Sequence, residues 1–212
     1  MNDVVALVFQ LAVLIFSVIV HEVSHGLAAL KLGDTTARDA GRLTMNPLKH
    51  LDLFGSILLP ISLFLLSNGA FVIGWAKPVP YNPYNLRNPR RGAGIIGAVG
   101  PLSNLVVAAI FGTALRFGIP LIAGVPESFW QAVSYIVFIN VLLAVFNLVP
   151  LPPLDGSNIL FALLPPQFAG VQRFLTRYGF WLLLLFIFFG FQFLVPIVAA
   201  IYKLLAGSAA LF

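Results

Sequence analysis

Five residues in a row, His21-Glu22-Val23-Ser24-His25, sit inside a long apolar stretch near the start of the chain. Residues four positions apart share one face of a helix, so both imidazoles can meet a single ion. For zinc that means about 2.0–2.1 Å to each nitrogen. Glu22 follows the first imidazole and is placed to reach a water beside the ion, not the ion itself. The chemistry of such a set is hydrolysis by an activated water. Two hydrogen-bonded interior histidines would account for part of the pattern. Ionisable groups inside a membrane segment are costly, however, and ordinarily mark function. A purely structural metal would leave Glu22 without a role.

A hydrolytic zinc needs a third protein ligand and an open fourth position. Asp3, Asp34, Asp39 and Asp52 lie in a terminus or connectors, where an exposed carboxylate is the expectation, and Glu127 follows Pro126 as a helix-start residue. Asp155 stands apart. It follows Asn147-Leu-Val-Pro150-Leu-Pro152-Pro153-Leu, directly after an apolar span. Prolines remove backbone donors and restrict the residue before them. The helix must therefore unwind there and can aim Asp155 inward. The competing reading of Asp155 is a capping residue for a short following helix.

The elements that must position these groups are those of a membrane protein. The chain has 212 residues, 60% of them hydrophobic and only 9% charged, with a mean hydropathy of +1.00. Soluble domains carry about 25% charged residues. A soluble enzyme, a disordered regulator and a nucleic-acid binder are thereby excluded, and the partners expected are a lipid bilayer and no nucleic acid. Cysteine is absent, so neither disulfides nor thiolate metal sites can form. Four apolar runs, 4–32, 92–115, 129–149 and 179–205, approach or exceed the roughly 20 residues of a spanning helix. A fifth, 54–66, has the length of a re-entrant segment and is broken by Pro60. The fold expected is an all-α polytopic membrane protein. It has about four full transmembrane helices and a re-entrant hairpin at roughly 53–75, where a short β segment could lie at the membrane edge. One membrane-embedded domain, residues 1–212, is expected. Tyr81 and Tyr84 read as headgroup-level anchors, His50 as a connector residue, and Asn104 and Asn140 as interior hydrogen-bonding glue.

His21 to His25 in one span, Gly100-Pro101-Leu102-Ser103-Asn104 in a second and Asn147 to Gly156 in a third together resemble the site-2 protease family of intramembrane zinc metalloproteases. The stretches GRLTMNPLKHLD (41–52) and WAKPVPYNP (75–83) are similar to its short bacterial-type members. The resemblance implies a zinc metalloendopeptidase acting in or near transmembrane segments of membrane-spanning protein substrates. It implies one Zn²⁺ held by His21, His25 and Asp155, Glu22 as catalytic base, and Asn147 as the residue stabilising the oxyanion. The PDZ and CBS domains attached to many members are not expected here.

The zinc hypothesis also fixes topology. His21 and His25 lie toward the end of the first span, and Asp155 just past the end of the span 129–149, so both helices must run in the same direction. Segment 53–75 must then enter and leave on one side. With that arrangement Lys31, Arg38, Arg42, Lys49, Lys77, Arg87, Arg90, Arg91, Arg173 and Arg177 share one side, and Arg116 and Lys203 the other. Cations collect on the cytoplasmic side. The N-terminus is therefore expected outside and the catalytic residues toward the cytoplasm of a bacterial or archaeal cell membrane. One alternative from another class stays open at this point: a membrane metal-binding or metal-transport protein without proteolytic activity.

Overall fold

The computed structural model describes residues 3–58, 62, 65, 77–121 and 124–207. Six helices carry the architecture: α1 (Asp3–Lys31), α2 (Pro89–Leu121), α3 (Glu127–Asn147), α4 (Asp155–Leu163), α5 (Ala169–Leu185) and α6 (Leu194–Ala206). No strand occurs among the described residues. Among the described residues, four stretches are long and apolar enough to cross a membrane: Val4–Lys31, Pro89–Gly118, Glu127–Asn147 and Pro166–Ala206. The expected four spans are present. The hairpin and β segment expected over 53–75 lie outside the described residues, apart from a single π-helical turn at Leu53–Leu58 and Ser62 and Leu65.

The helices are turned inside out relative to a soluble bundle. Val4, Leu7, Val8, Leu11, Ile15 and Phe16 of α1 are exposed, whereas Ser17, His21 and His25 are buried. The three polar residues recur at intervals of four, so they form one stripe facing inward. Lipid makes no demand that apolar groups hide. A polar group left in hydrocarbon without a partner, however, costs several kcal/mol. The stripe therefore faces α2 and α3, where its partners are. The apolar interior lies between α2, α3 and α6 and includes Leu115, Val137, Val141, Val145, Val198 and Tyr202.

The last apolar run is not one straight helix. Between α5 and α6 the backbone opens to a π turn at Phe186–Gly190 and tightens to a 3₁₀ turn at Phe191–Phe193. Gly190 packs on Phe186 so closely that an added Cβ would lie 2.4 Å from that ring. Such mid-helix irregularities let a helix change direction.

The connector after α1 is held by buried polar groups. Asp34, expected at the surface from its place in a connector, is fully buried. Its carboxylate accepts from Thr36 Oγ1 and from Asn85 Nδ2 at 2.7 Å on Oδ1, and from Asn82 N at 2.7 Å on Oδ2. Burial alone would raise its pKa. The hydrogen bonds from Thr36, Asn85 and Asn82 outweigh it and hold the carboxyl below the usual range. Arg42, read from sequence as a topology cation, is buried as well. Its guanidinium donates to Lys49 O, to Lys77 O at 2.7 Å and to Pro78 O at 3.2 Å. His50 is interior too. Its Nε2 faces Thr44 O at 2.8 Å, and its carbonyl accepts from Lys77 N at 2.9 Å. These bonds lay the extended segment 77–82 across the end of α1.

Candidate metal centre

His21 and His25 project from the same face of α1, their rings edge to face with centroids 4.6 Å apart. Each imidazole is anchored through Nδ1: His21 to Asn104 Oδ1 at 2.7 Å, His25 to Ile96 O at 2.7 Å. Both anchors belong to α2. With Nδ1 committed on each ring, both Nε2 atoms turn to the same point.

That point is occupied by the carboxylate of Asp155. Its Oδ2 lies 2.9 Å from His21 Nε2 and 3.2 Å from His25 Nε2. The positioning is local. Residues 148–154 leave α3 in tight turns, with Leu151 N donating to Val149 O and Leu154 N to Leu151 O. Asp155 then opens α4. The N-cap position is Leu154 and Asp155 is the first helical residue, while its carboxylate is engaged by the two imidazoles, so the capping alternative does not describe it. Gly156 presses the first turn of α4 onto the end of α3. A Cβ there would sit 2.3 Å from Leu148 O, which only glycine avoids.

The three residues fit a zinc ion. Their donor atoms all lie within 4.8 Å of one another. A tetrahedral ion with bonds of about 2.0–2.1 Å sets its ligand atoms about 3.3–3.4 Å apart, a few tenths more than the two nitrogen–oxygen distances here. Two neutral nitrogens and one carboxylate are also the donor types zinc takes. Gly100 provides the space. An added Cβ would lie 2.4 Å from His25 Cε1 and 2.7 Å from His21 Cε1.

Glu22 stays out of the donor cluster. Its Oε2 accepts from Val79 N at 2.8 Å, across the extended segment. Asn147, the last residue of α3, is not joined to the cluster by any hydrogen bond among the described residues. Its Nδ2 donates to Leu143 O, one turn back, at 2.9 Å. Tyr81 is half-buried and packs against the cluster of Ala28, Leu86 and Ile96. Burial raises its phenol pKa, and the charge of Asp155 adds to the shift. Tyr84 is 91% exposed and remains free for the headgroup-anchor role.

The chain is similar to known proteins. The model of peptidase family M50 matches residues 118–186, a stretch holding α3, the proline turns and Asp155. YwhC of Bacillus subtilis, a zinc metalloprotease by name, is 40% identical over 174 residues, covering 79% of this chain and 74% of that protein. The chain belongs to peptidase family M50. Rip2 of Mycolicibacterium smegmatis, also named a zinc metalloprotease, is 30% identical over 167 residues, 78% of this chain and 61% of its own length. Rip2 of Mycobacterium tuberculosis is 29% identical over 151 residues, 71% of this chain and 55% of its own. No solved structure matches the chain. The resemblance to site-2 proteases and the expectation of a zinc-dependent peptidase are borne out by this membership. As an M50 protein with four helices among the described residues fit to span, it is a multi-pass integral membrane protein.

Two contacts of the candidate site residues escape a reading of spacing alone. Asn104, expected only as packing glue, directly contacts His21. Val79 contacts Glu22 through its backbone, which no side-chain pattern could reveal.

Proposed function

We propose that this M50 peptidase hydrolyses peptide bonds in or near transmembrane segments of membrane-protein substrates, using one zinc ion held by His21 Nε2, His25 Nε2 and the Asp155 carboxylate. The observation that carries the reading is the meeting of Asp155 with two imidazoles 134 and 130 positions earlier in the chain, at the end of an apolar helix. When bound, zinc supplies Lewis-acid chemistry, polarising a peptide carbonyl and acidifying water.

The chain's own residues do the rest. Glu22 Oε2 is held by Val79 N–H, which leaves Oε1 to take a proton from the attacking water and hand it to the departing amine. Asn147 Nδ2 carries two hydrogens, and Leu143 O takes one. The second is assigned to the oxyanion, a contact of the kind worth about 3–4 kcal/mol. A substrate helix hides its carbonyls in its own hydrogen bonds, so it must unwind locally before attack. The described helices act as one membrane-embedded catalytic domain.

The ten cations from Lys31 to Arg177 on one side, against Arg116 and Lys203 on the other, support an N-terminus outside and a catalytic centre toward the cytoplasmic face of a cell membrane. Arg116 Nη1 donates to Leu204 O, beside Lys203, in keeping with a shared side for these two.

Purified protein in liposomes, given a membrane-spanning substrate, tests the function. Wild type should cleave it and carry one zinc per chain. Glu22→Gln should carry the same zinc and cleave nothing. Cleavage retained by Glu22→Gln removes Glu22 from the reaction, and wild type that moves zinc across the bilayer without cleaving revives the transport alternative.

A further inference from the structure

Three fully or nearly buried polar residues come from three different spans: Ser17 in α1, Asn104 in α2 and Asn140 in α3. Their hydrogen bonds form a chain with a direction. Asn140 Nδ2 donates to Ile136 O at 2.9 Å, one turn back in its own helix, and to Ser17 Oγ at 2.9 Å. A backbone carbonyl can only accept, so Ile136 fixes which way the Asn140 amide faces. Asn140 Oδ1 must then point away, and it accepts from Asn104 Nδ2 at 2.8 Å. The same nitrogen gives its second hydrogen to Ser17 O at 3.1 Å, again an acceptor only.

With both hydrogens committed, Asn104 can show His21 nothing but Oδ1, 2.7 Å from Nδ1. Only an N–H at Nδ1 satisfies that oxygen. A neutral imidazole protonated at Nδ1 carries its lone pair on Nε2. Nε2 is the atom that faces Asp155, beside Nε2 of His25. The helical carbonyl of Ile136 thus decides, through two amides, which nitrogen of His21 can bind a metal.

We propose that Asn104, locked by Asn140 and Ser17, is a positioning residue that sets the tautomer and ring orientation of His21 for zinc. This rests on the reading of His21, His25 and Asp155 as the zinc site. His25 is oriented in the same way by Ile96 O, so α2 orients both rings. Only the His21 anchor is a side chain that substitution can remove. Glue between helices would need no particular amide orientation and no contact with an imidazole. Partners that orient metal-bound histidines are worth about 10–100-fold in metal affinity.

The test separates positioning from glue by variants that differ in one atom's role. Asn104→Ala removes the acceptor and both donations. Asn104→Asp keeps an acceptor for Nδ1–H but cannot donate to Ser17 O or Asn140. The full-length protein is stripped of zinc in detergent, its thermal unfolding is recorded, and zinc affinity is measured by competition with a chromophoric chelator. Positioning predicts that N104A weakens zinc about 10–100-fold and that N104D returns to within a few-fold of wild type, although both lose the same interhelical bonds. An unchanged affinity in N104A, or an N104D as weak as N104A, overturns the proposal and leaves the zinc site standing. Wild type that binds no zinc overturns the site itself. Should N104A fail to fold, N104D decides alone: affinity within a few-fold of wild type supports positioning, and a tenfold loss or more refutes it.

Discussion

The backbone N–H of Val79 lies 2.8 Å from Oε2 of Glu22. Val79 sits between Pro78 and Pro80, and proline has no N–H. Among residues 78–80 this is therefore the one backbone donor, and it is directed at the proposed base. Arg42 holds Lys77 O and Pro78 O just before it, and Asp34 holds Asn82 N just after. The segment is pinned on both sides of the contact, so the donor cannot drift.

Val79→Pro deletes that donor while keeping an extended backbone. A hydrogen bond to a charged group contributes about 1.5–3 kcal/mol. Substrate cleavage should fall roughly 10- to 100-fold, with zinc content unchanged. Val79→Ala keeps the N–H and should lose far less activity. Equal rates for V79P and V79A in a liposome cleavage assay would show that the contact does not matter to the reaction.

Asp155→Ala removes the one carboxylate of the donor cluster and leaves two nitrogens. Zinc stoichiometry, measured by elemental analysis after dialysis, should fall well below one per chain, and cleavage should disappear with it. A variant that keeps one zinc through dialysis would mean the ion is held elsewhere.

What the sequence made legible follows from what periodicity can see. His21 and His25 declare themselves because both lie on one helix at a fixed spacing. Asp155 is legible because Pro150, Pro152 and Pro153 mark where α3 must end. The four spans are legible from length and hydropathy. The burial of Asp34 was not, because its partners Asn82 and Asn85 lie 48 and 51 positions away and belong to a turn with no periodic signal. Asn104 reads as glue for the same reason: its link to His21 crosses 83 positions. Arg42 is counted as a topology cation from the sequence, yet its two Nη atoms donate to three carbonyls that only the folded connector gathers. The re-entrant hairpin expected over 53–75 falls almost wholly outside the described residues, so its expectation rests on segment length and charge.

Asp34 makes a pH-dependent contribution to stability. Its carboxyl is held below the ordinary range in the folded chain, so its stabilisation is fully present above the unfolded value near 4 and is lost as pH falls through the folded one. Asn at this position cannot accept on both sides and leaves a buried donor unmet. Asp34→Asn should therefore cost about 1–3 kcal/mol at pH 7, seen as a lower thermal midpoint in detergent. The gap between wild type and variant should narrow as pH drops below about 4. A gap that stays constant or widens toward pH 3 would contradict the assignment.

Gly100→Ala sets two effects of opposite sign against each other. Alanine favours a helix by about 1 kcal/mol over glycine, and α2 is helical throughout this region. The added Cβ, however, would lie 2.4 Å from His25 Cε1, 2.5 Å from His25 Nε2 and 2.7 Å from His21 Cε1. Neither ring can yield freely, because Ile96 O and Asn104 Oδ1, one turn before and one turn after Gly100 on the same helix, tie both imidazoles to α2. The collision therefore falls on the atoms proposed to bind the metal. Zinc affinity should drop by tenfold or more in a chelator competition, while the zinc-free protein loses little thermal stability relative to that drop. Unchanged affinity in G100A would mean that α2 can back away from the imidazoles, and the close approach at Gly100 would then be a packing detail with no bearing on the metal.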